Sequence, residues 1–186
     1  AFLVAYQDEA YARRYLRLVE RVRAAEAAAG GNAGELGEAV ARNYFKLLAY
    51  KDEYEVARLF ADPAFRDSLD ATFEGDYWLN FHMTLPWERR APAGGEPRKR
   101  RFGAWMLPAM RLLARLRFLR GTALDPFAHS ADRVQERALI AEYEGVVEHV
   151  LAGLAPDTLA KAVELARFPE TIRGYGPVKE RAVEAA

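Results

Sequence analysis

The chain has 186 residues, 51% of them hydrophobic and 29% charged, which is enough for one domain with a sizeable core and leaves little room for two full ones. Basic and acidic residues balance at 27 each, and cysteine is absent, so disulfides, cysteine-held zinc and cysteine-held iron–sulfur clusters are excluded from this segment. No apolar run approaches the roughly 20 residues of a membrane-spanning helix, and no basic leader opens the chain. A cytoplasmic location is the expectation. The first residue is Ala1 rather than Met, and the expectation is of the C-terminal part of a much longer multidomain enzyme.

Residues from about Gln7 to Ala29 predict a long amphipathic helix, with Tyr11, Tyr15, Leu18, Val22 and Ala25 at helical spacing among arginines. Gly30-Gly31-Asn32 ends it, since Gly and Asn accept the left-handed cap conformation. A second helix from about Glu35 runs into Tyr44–Phe60. There Tyr44, Leu47, Leu48, Tyr54, Val56, Leu59 and Phe60 form an apolar stripe, and the charged centre Lys51-Asp52-Glu53 marks a bend or a junction between two helices. Asp62-Pro63 starts a short helix, with Phe65, Leu69 and Phe73 as its buried side and Gly75 as its stop.

The one strand pattern follows. Tyr77, Leu79, Phe81, Met83 and Leu85 alternate with Trp78, Asn80, His82 and Thr84. A turn over Pro92–Pro97 leads to a partner strand, so a hairpin of about 77–85 and 98–105 is expected, one face packed on helices. Met106–Leu119 predicts a helix carrying Leu112, Leu113, Leu116 and Leu119, and Gly121–Phe127 a loop. Ser130 suits the cap of a long helix to about Leu154, in which Val134, Ile140, Tyr143, Val147 and Leu151 are apolar. Pro156–Ala166 predicts one more helix, and Phe168-Pro169 breaks it before a tail loop in which Gly174 is a helix cap. The expected fold is mainly α: one helical domain over 1–186 with an inserted β-hairpin.

Charge is uneven along this neutral chain. From Pro86 to Gly121 ten Arg or Lys stand against Glu88 and Glu96, a net +8 that the remainder offsets with −8. Arg89, Arg90, Arg98, Lys99, Arg100 and Arg101 concentrate on the hairpin. They suit either an anionic partner, such as phosphates of coenzyme A or an acidic protein surface, or a solvated edge strand that uses charge against aggregation. Nucleic acid fits poorly, because net charge is zero and no reading helix or aromatic base platform is present. His82, His129 and His149 have no metal-ligand spacing, and no metal site is expected. His82, Asp52, Glu53 and Glu55 are the candidate acid–base groups. Against that role, consecutive carboxylates on a helix point in different directions, and helix-surface ion pairs are the more frequent use of them. Glu74 and Asp76 flank Gly75 as turn residues.

Six strings together resemble one family: Ala5-Tyr-Gln-Asp8, the run from Tyr44 to Arg58, Phe73-Glu-Gly-Asp-Tyr77, Phe102-Gly-Ala-Trp-Met106, the run from Leu119 to Phe127, and Ile172-Arg-Gly-Tyr-Gly176. They are similar to the C-terminal domain, itself without assigned function, of fused bacterial indolepyruvate ferredoxin oxidoreductases in the 2-oxoacid:acceptor oxidoreductase family. Pro177 and Ala182 depart from that pattern, which has His and Asn there. The resemblance implies a parent enzyme that oxidatively decarboxylates aryl pyruvates to aryl-acetyl-coenzyme A, using thiamine diphosphate and iron–sulfur clusters and passing electrons to ferredoxin. Those cofactors would bind in other domains, and none is expected in this one. It also implies a structural part for Tyr50, Lys51, Asp52, Glu53, Tyr54, Gly75, Asp76, Gly121, Asp125 and Gly174. The expected function is an accessory, non-catalytic domain that supports the assembly or docks ferredoxin or coenzyme A. The alternatives are a free-standing helical interaction module, or a small enzyme using His82 or Asp52 and Glu53.

Overall fold

Three aspartates each start a helix by giving a side-chain oxygen to an N–H that the first turn leaves unsatisfied. In the computed structural model, which describes residues 1–31, 34–84 and 99–172, Asp8 accepts from Tyr11 N at 2.8 Å, Asp52 from Glu55 N at 2.8 Å and Asp62 from Ala64 N at 3.0 Å. The elements in chain order are α1 (Phe2–Tyr6), α2 (Glu9–Ala28), α3 (Glu35–Leu48), α4 (Glu53–Ala61), α5 (Pro63–Thr72), β1 (Phe81–Met83), β2 (Arg100–Phe102), α6 (Met106–Arg115), α7 (Ala131–Ala152) and α8 (Leu159–Ala166). Short 3-10 turns follow α6 at Leu116–Leu119 and α8 at Phe168–Glu170. The fold is mainly α with one small antiparallel hairpin.

Two compact units separate, one of Ala1–Tyr50 with the chain from Ala131 onward, the other of Lys51–Ser130. In the first, α3 packs against α2, α7 and α8. Leu18, Val22, Leu36, Val40, Tyr44 and Tyr143 lie at the centre of its core. Tyrosine hydroxyls close helix ends there: Tyr11 and Tyr6 donate to the Leu48 and Tyr50 carbonyls at 3.0 and 2.7 Å, and Tyr143 donates to Ala166 O at 2.9 Å. The Leu48 and Ala166 carbonyls are acceptors that a last helical turn leaves open, and Tyr50 O lies two residues beyond the end of α3. Glu144 holds Arg14 through two charge-assisted bonds of 2.7 and 2.8 Å and also accepts from the Tyr44 hydroxyl. Burial pushes the Glu144 carboxyl up, but the bonds from Arg14 and Tyr44 outweigh it and hold the carboxyl below its ordinary value.

The start of α3 is closed from another helix. Its cap position is Gly34, with φ of 67° and no side chain to give, and the Glu26 carboxylate of α2 accepts instead from Leu36 N and Gly37 N, both at 2.9 Å. Glu26 is 4% exposed, so this carboxylate is paid for by two N–H groups and the positive end of the helix dipole. Glu26→Ala is expected to lower stability by about 1–3 kcal/mol in urea unfolding, and Glu26→Gln by less because it keeps one acceptor. An unchanged urea midpoint in the Ala variant would refute this role.

The second unit has a smaller core, where Ala57 of α4, Phe81 of β1 and Met110 and Ala114 of α6 meet. Several expected faces are corrected here. The junction in Ala49–Asp52 resets the helical phase, so α4 buries Tyr54, Glu55 and Ala57 and leaves Leu59 46% exposed. α5 buries no residue fully, and Phe73 is exposed. α6 turns Met110 and Ala114 inward rather than Leu112, which is exposed, and tightens to 3-10 geometry before Leu119. In the first unit, Val134 likewise faces solvent. α1 was not among the expected elements, and α8 begins at Leu159, three residues past Pro156, after a turn held by Thr158.

The hairpin is shorter than 77–85 and 98–105 suggested: each strand has three residues, paired Phe81 with Phe102, His82 with Arg101 and Met83 with Arg100. The alternation from Tyr77 to Met83 nonetheless holds in burial, with Trp78, Asn80 and His82 exposed and the residues between them buried or half-buried. The expected turn over Pro92–Pro97, Leu85, and the expected tail from Arg173 onward, Gly174 included, lie outside the described residues.

Candidate functional site

The junction Lys51-Asp52-Glu53-Tyr54 and the loop Arg120–Phe127 meet inside the second unit. Asp52 is fixed first as the cap of α4. Its carboxylate then takes a fork from Arg120, Nε to Oδ2 at 2.5 Å and Nη2 to Oδ1 at 2.9 Å, with both side chains 3% exposed. The Arg120 guanidinium also lies 5.5 Å from the centre of the Tyr54 ring, a cation–π contact. Tyr54 donates its hydroxyl to Asp125 Oδ1 at 3.1 Å. Asp125 in turn ties its own loop, accepting from Gly121 N at 2.8 Å and Phe127 N at 3.0 Å. Gly121 sits at φ of 73°, which an L side chain rarely adopts, and this lets the chain double back to Asp125. Burial, then the Asp125 carboxylate, push the Tyr54 hydroxyl well above the ordinary tyrosine value.

This clasp commits the carboxylates that were candidates for acid–base work. Asp52 is not on a helix surface but in the interior, with both oxygens bonded. Glu55 is 6% exposed and gives both oxygens to Arg58 at 2.8 Å. Glu53 is half-buried and Lys51 exposed beside them. Tyr50 is buried in the first unit, where the Arg133 guanidinium lies 5.3 Å from its ring centre. Gly75, at φ of 80°, and Asp76 form an exposed bend after α5. The structure thus joins Asp52, Tyr54, Gly121 and Asp125 and leaves Gly75 and Asp76 apart from them. Arg120 was missed as their partner. The signal for it was an arginine directly before Gly121, at the end of the basic segment from Pro86 to Gly121.

His82 is exposed on β1 opposite Arg101, with no hydrogen bond to a described residue. Nothing among the described residues orients its imidazole as a base. Lys99, Arg100 and Arg101 are exposed, while Arg89, Arg90 and Arg98 lie outside the described residues. Pairing partners share a face, so Arg101 lies with His82 on one side of the hairpin and Arg100 with Met83 on the other. The basic run is therefore divided between two faces.

A groove of about 310 Å³ in the second unit has apolar walls from α4, α5 and α6, and its charged lining is balanced, Arg66 and Arg111 against Asp62 and Asp67. Among the described residues no three His, Asp or Glu side chains gather as metal ligands, and no helix is long and apolar enough to cross a membrane.

A helical scaffold, a small charged hairpin and a buried polar clasp make up the described part of the chain. The model of a family of unknown function, DUF6537, matches residues 1–186, and the chain belongs to that family. Neither a comparison with curated proteins nor one with solved structures finds a match.

Proposed function

We propose that the chain is an accessory, non-catalytic domain of an indolepyruvate ferredoxin oxidoreductase, and that its basic hairpin docks an acidic ferredoxin. The observation that carries this reading is the charge distribution. Lys99, Arg100 and Arg101 are exposed, and the sequence from Lys99 to Leu124 holds seven basic residues and no acidic one, though Arg120 is taken up by Asp52. Such a segment attracts an acidic partner and speeds its encounter. The commitment of Asp52, Glu55 and Asp125 to internal bonds supports a scaffold over a small enzyme built on these groups. In this reading the parent enzyme is cytoplasmic and binds thiamine diphosphate, coenzyme A and iron–sulfur clusters elsewhere in its chain. The coenzyme A phosphates are the second anion that the same hairpin suits.

Reversing Lys99, Arg100 and Arg101 to Glu in the full-length enzyme is expected to raise the KM for ferredoxin about tenfold or more. The ionic-strength dependence should weaken, and turnover with a small artificial electron acceptor should be unchanged. Unaltered ferredoxin kinetics and salt dependence would sink the docking role, and loss with both acceptors would assign the domain to assembly instead.

A further inference from the structure

Trp78 is 90% exposed, whereas an indole is among the side chains that gain most from leaving water. It stands three residues before β1, and the burial alternation from Tyr77 to Met83 places it on the side of His82, hence of Arg101. Lys99 is two residues from Arg101, the period of one strand face. Trp105, 63% exposed, stands three residues beyond β2.

We infer that this outward face of the hairpin is a docking surface, with the Trp78 indole as its apolar anchor and Lys99 and Arg101 as its charged rim. The fitting occupant is a protein surface whose acidic patch borders an apolar depression. An exposed Trp sharing a face with Arg is the composition from which interface anchors are drawn. Arg100, on the side of Met83 and Phe102, does not belong to this face. Charge around the anchor selects a protein over a uniform polyanion. Glu74 and Asp76 are exposed just ahead of it. A nucleic acid strand or an anionic bilayer that reached Lys99 and Arg101 would also meet these carboxylates, whereas a protein with a localised acidic patch need not. The inference rests on the docking reading above for the nature of the contact, though not on which enzyme carries the domain.

The test is a calorimetric titration of the full-length protein with an acidic ferredoxin at low and at physiological ionic strength. Because Trp78 is exposed, its replacement leaves the core intact. Trp78→Ala is expected to weaken binding about tenfold or more at both ionic strengths. Lys99→Glu with Arg101→Glu should weaken it chiefly at low salt, and Arg100→Glu should stay within about twofold. Binding that depends on Lys99 and Arg101 but ignores Trp78→Ala overturns the anchor and leaves the docking reading standing. No binding of ferredoxin to the unsubstituted protein overturns both. Anionic-lipid vesicles and a single-stranded oligonucleotide complete the set of probes: binding of either through Trp78 and Arg101 in place of ferredoxin overturns the choice of a protein partner.

Discussion

Asp52→Ala should cost about 3–5 kcal/mol of folding stability, the largest single effect we expect in this protein. The substitution removes the cap of α4 and, more costly, the carboxylate that takes the Arg120 fork where only 3% of that side chain meets solvent. The pair itself contributes little net stability, since desolvating two charges offsets their attraction. Asp52→Ser with Arg120→Leu should therefore be more stable than Asp52→Ala alone, the Ser restoring a cap and the Leu removing a buried charge. Urea unfolding followed by circular dichroism measures all three proteins. A loss within about 1 kcal/mol for Asp52→Ala would show that Arg120 finds water or another acceptor, and that the clasp does not hold the second unit together.

High pH should unfold the protein sooner than its surface charge alone explains. The hydroxyls of Tyr44, Tyr54 and Tyr143 are pushed well above the ordinary tyrosine value, in each case first by burial. A nearby carboxylate adds to it: Glu144 for Tyr44, Asp125 for Tyr54 and Glu170 for Tyr143. Below about pH 10 these groups are protonated in folded and unfolded chains alike, and their contribution is complete. Above it the unfolded chain ionises while the folded hydroxyls keep their protons, so stability falls as pH rises until the folded groups ionise too. Melting at successive pH values between 8 and 11, alongside tyrosinate absorbance, follows both events. Tyr143→Phe should flatten the fall, at the cost of the bond to Ala166 O. Tyrosinate absorbance that rises fully near pH 10 with no loss of helix would contradict the expectation.

The basic face of the hairpin and the buried clasp differ in how far the sequence foretold them. The aspartate cap at position 62, Pro63 in a first helical turn and Gly30 at φ of 80° are local signals, each acting within a few residues, and they marked helix ends well. The junction at Lys51-Asp52-Glu53 was legible for the same reason, and the alternation through Phe81 and Met83 fixed which side of the hairpin faces the core. The sequence by itself thus determined the mainly helical class, the place of the hairpin and the uneven charge. Tertiary structure alone decided that Asp52 meets Arg120, 68 residues away, and that Glu26 closes a helix other than its own. It also decided that Leu59, Phe73, Leu112 and Val134 stay exposed while Tyr54 and Met110 go in. A periodic pattern offers more apolar faces than a small core can cover, and a carboxylate finds its distant partner only when chain closure brings the two together.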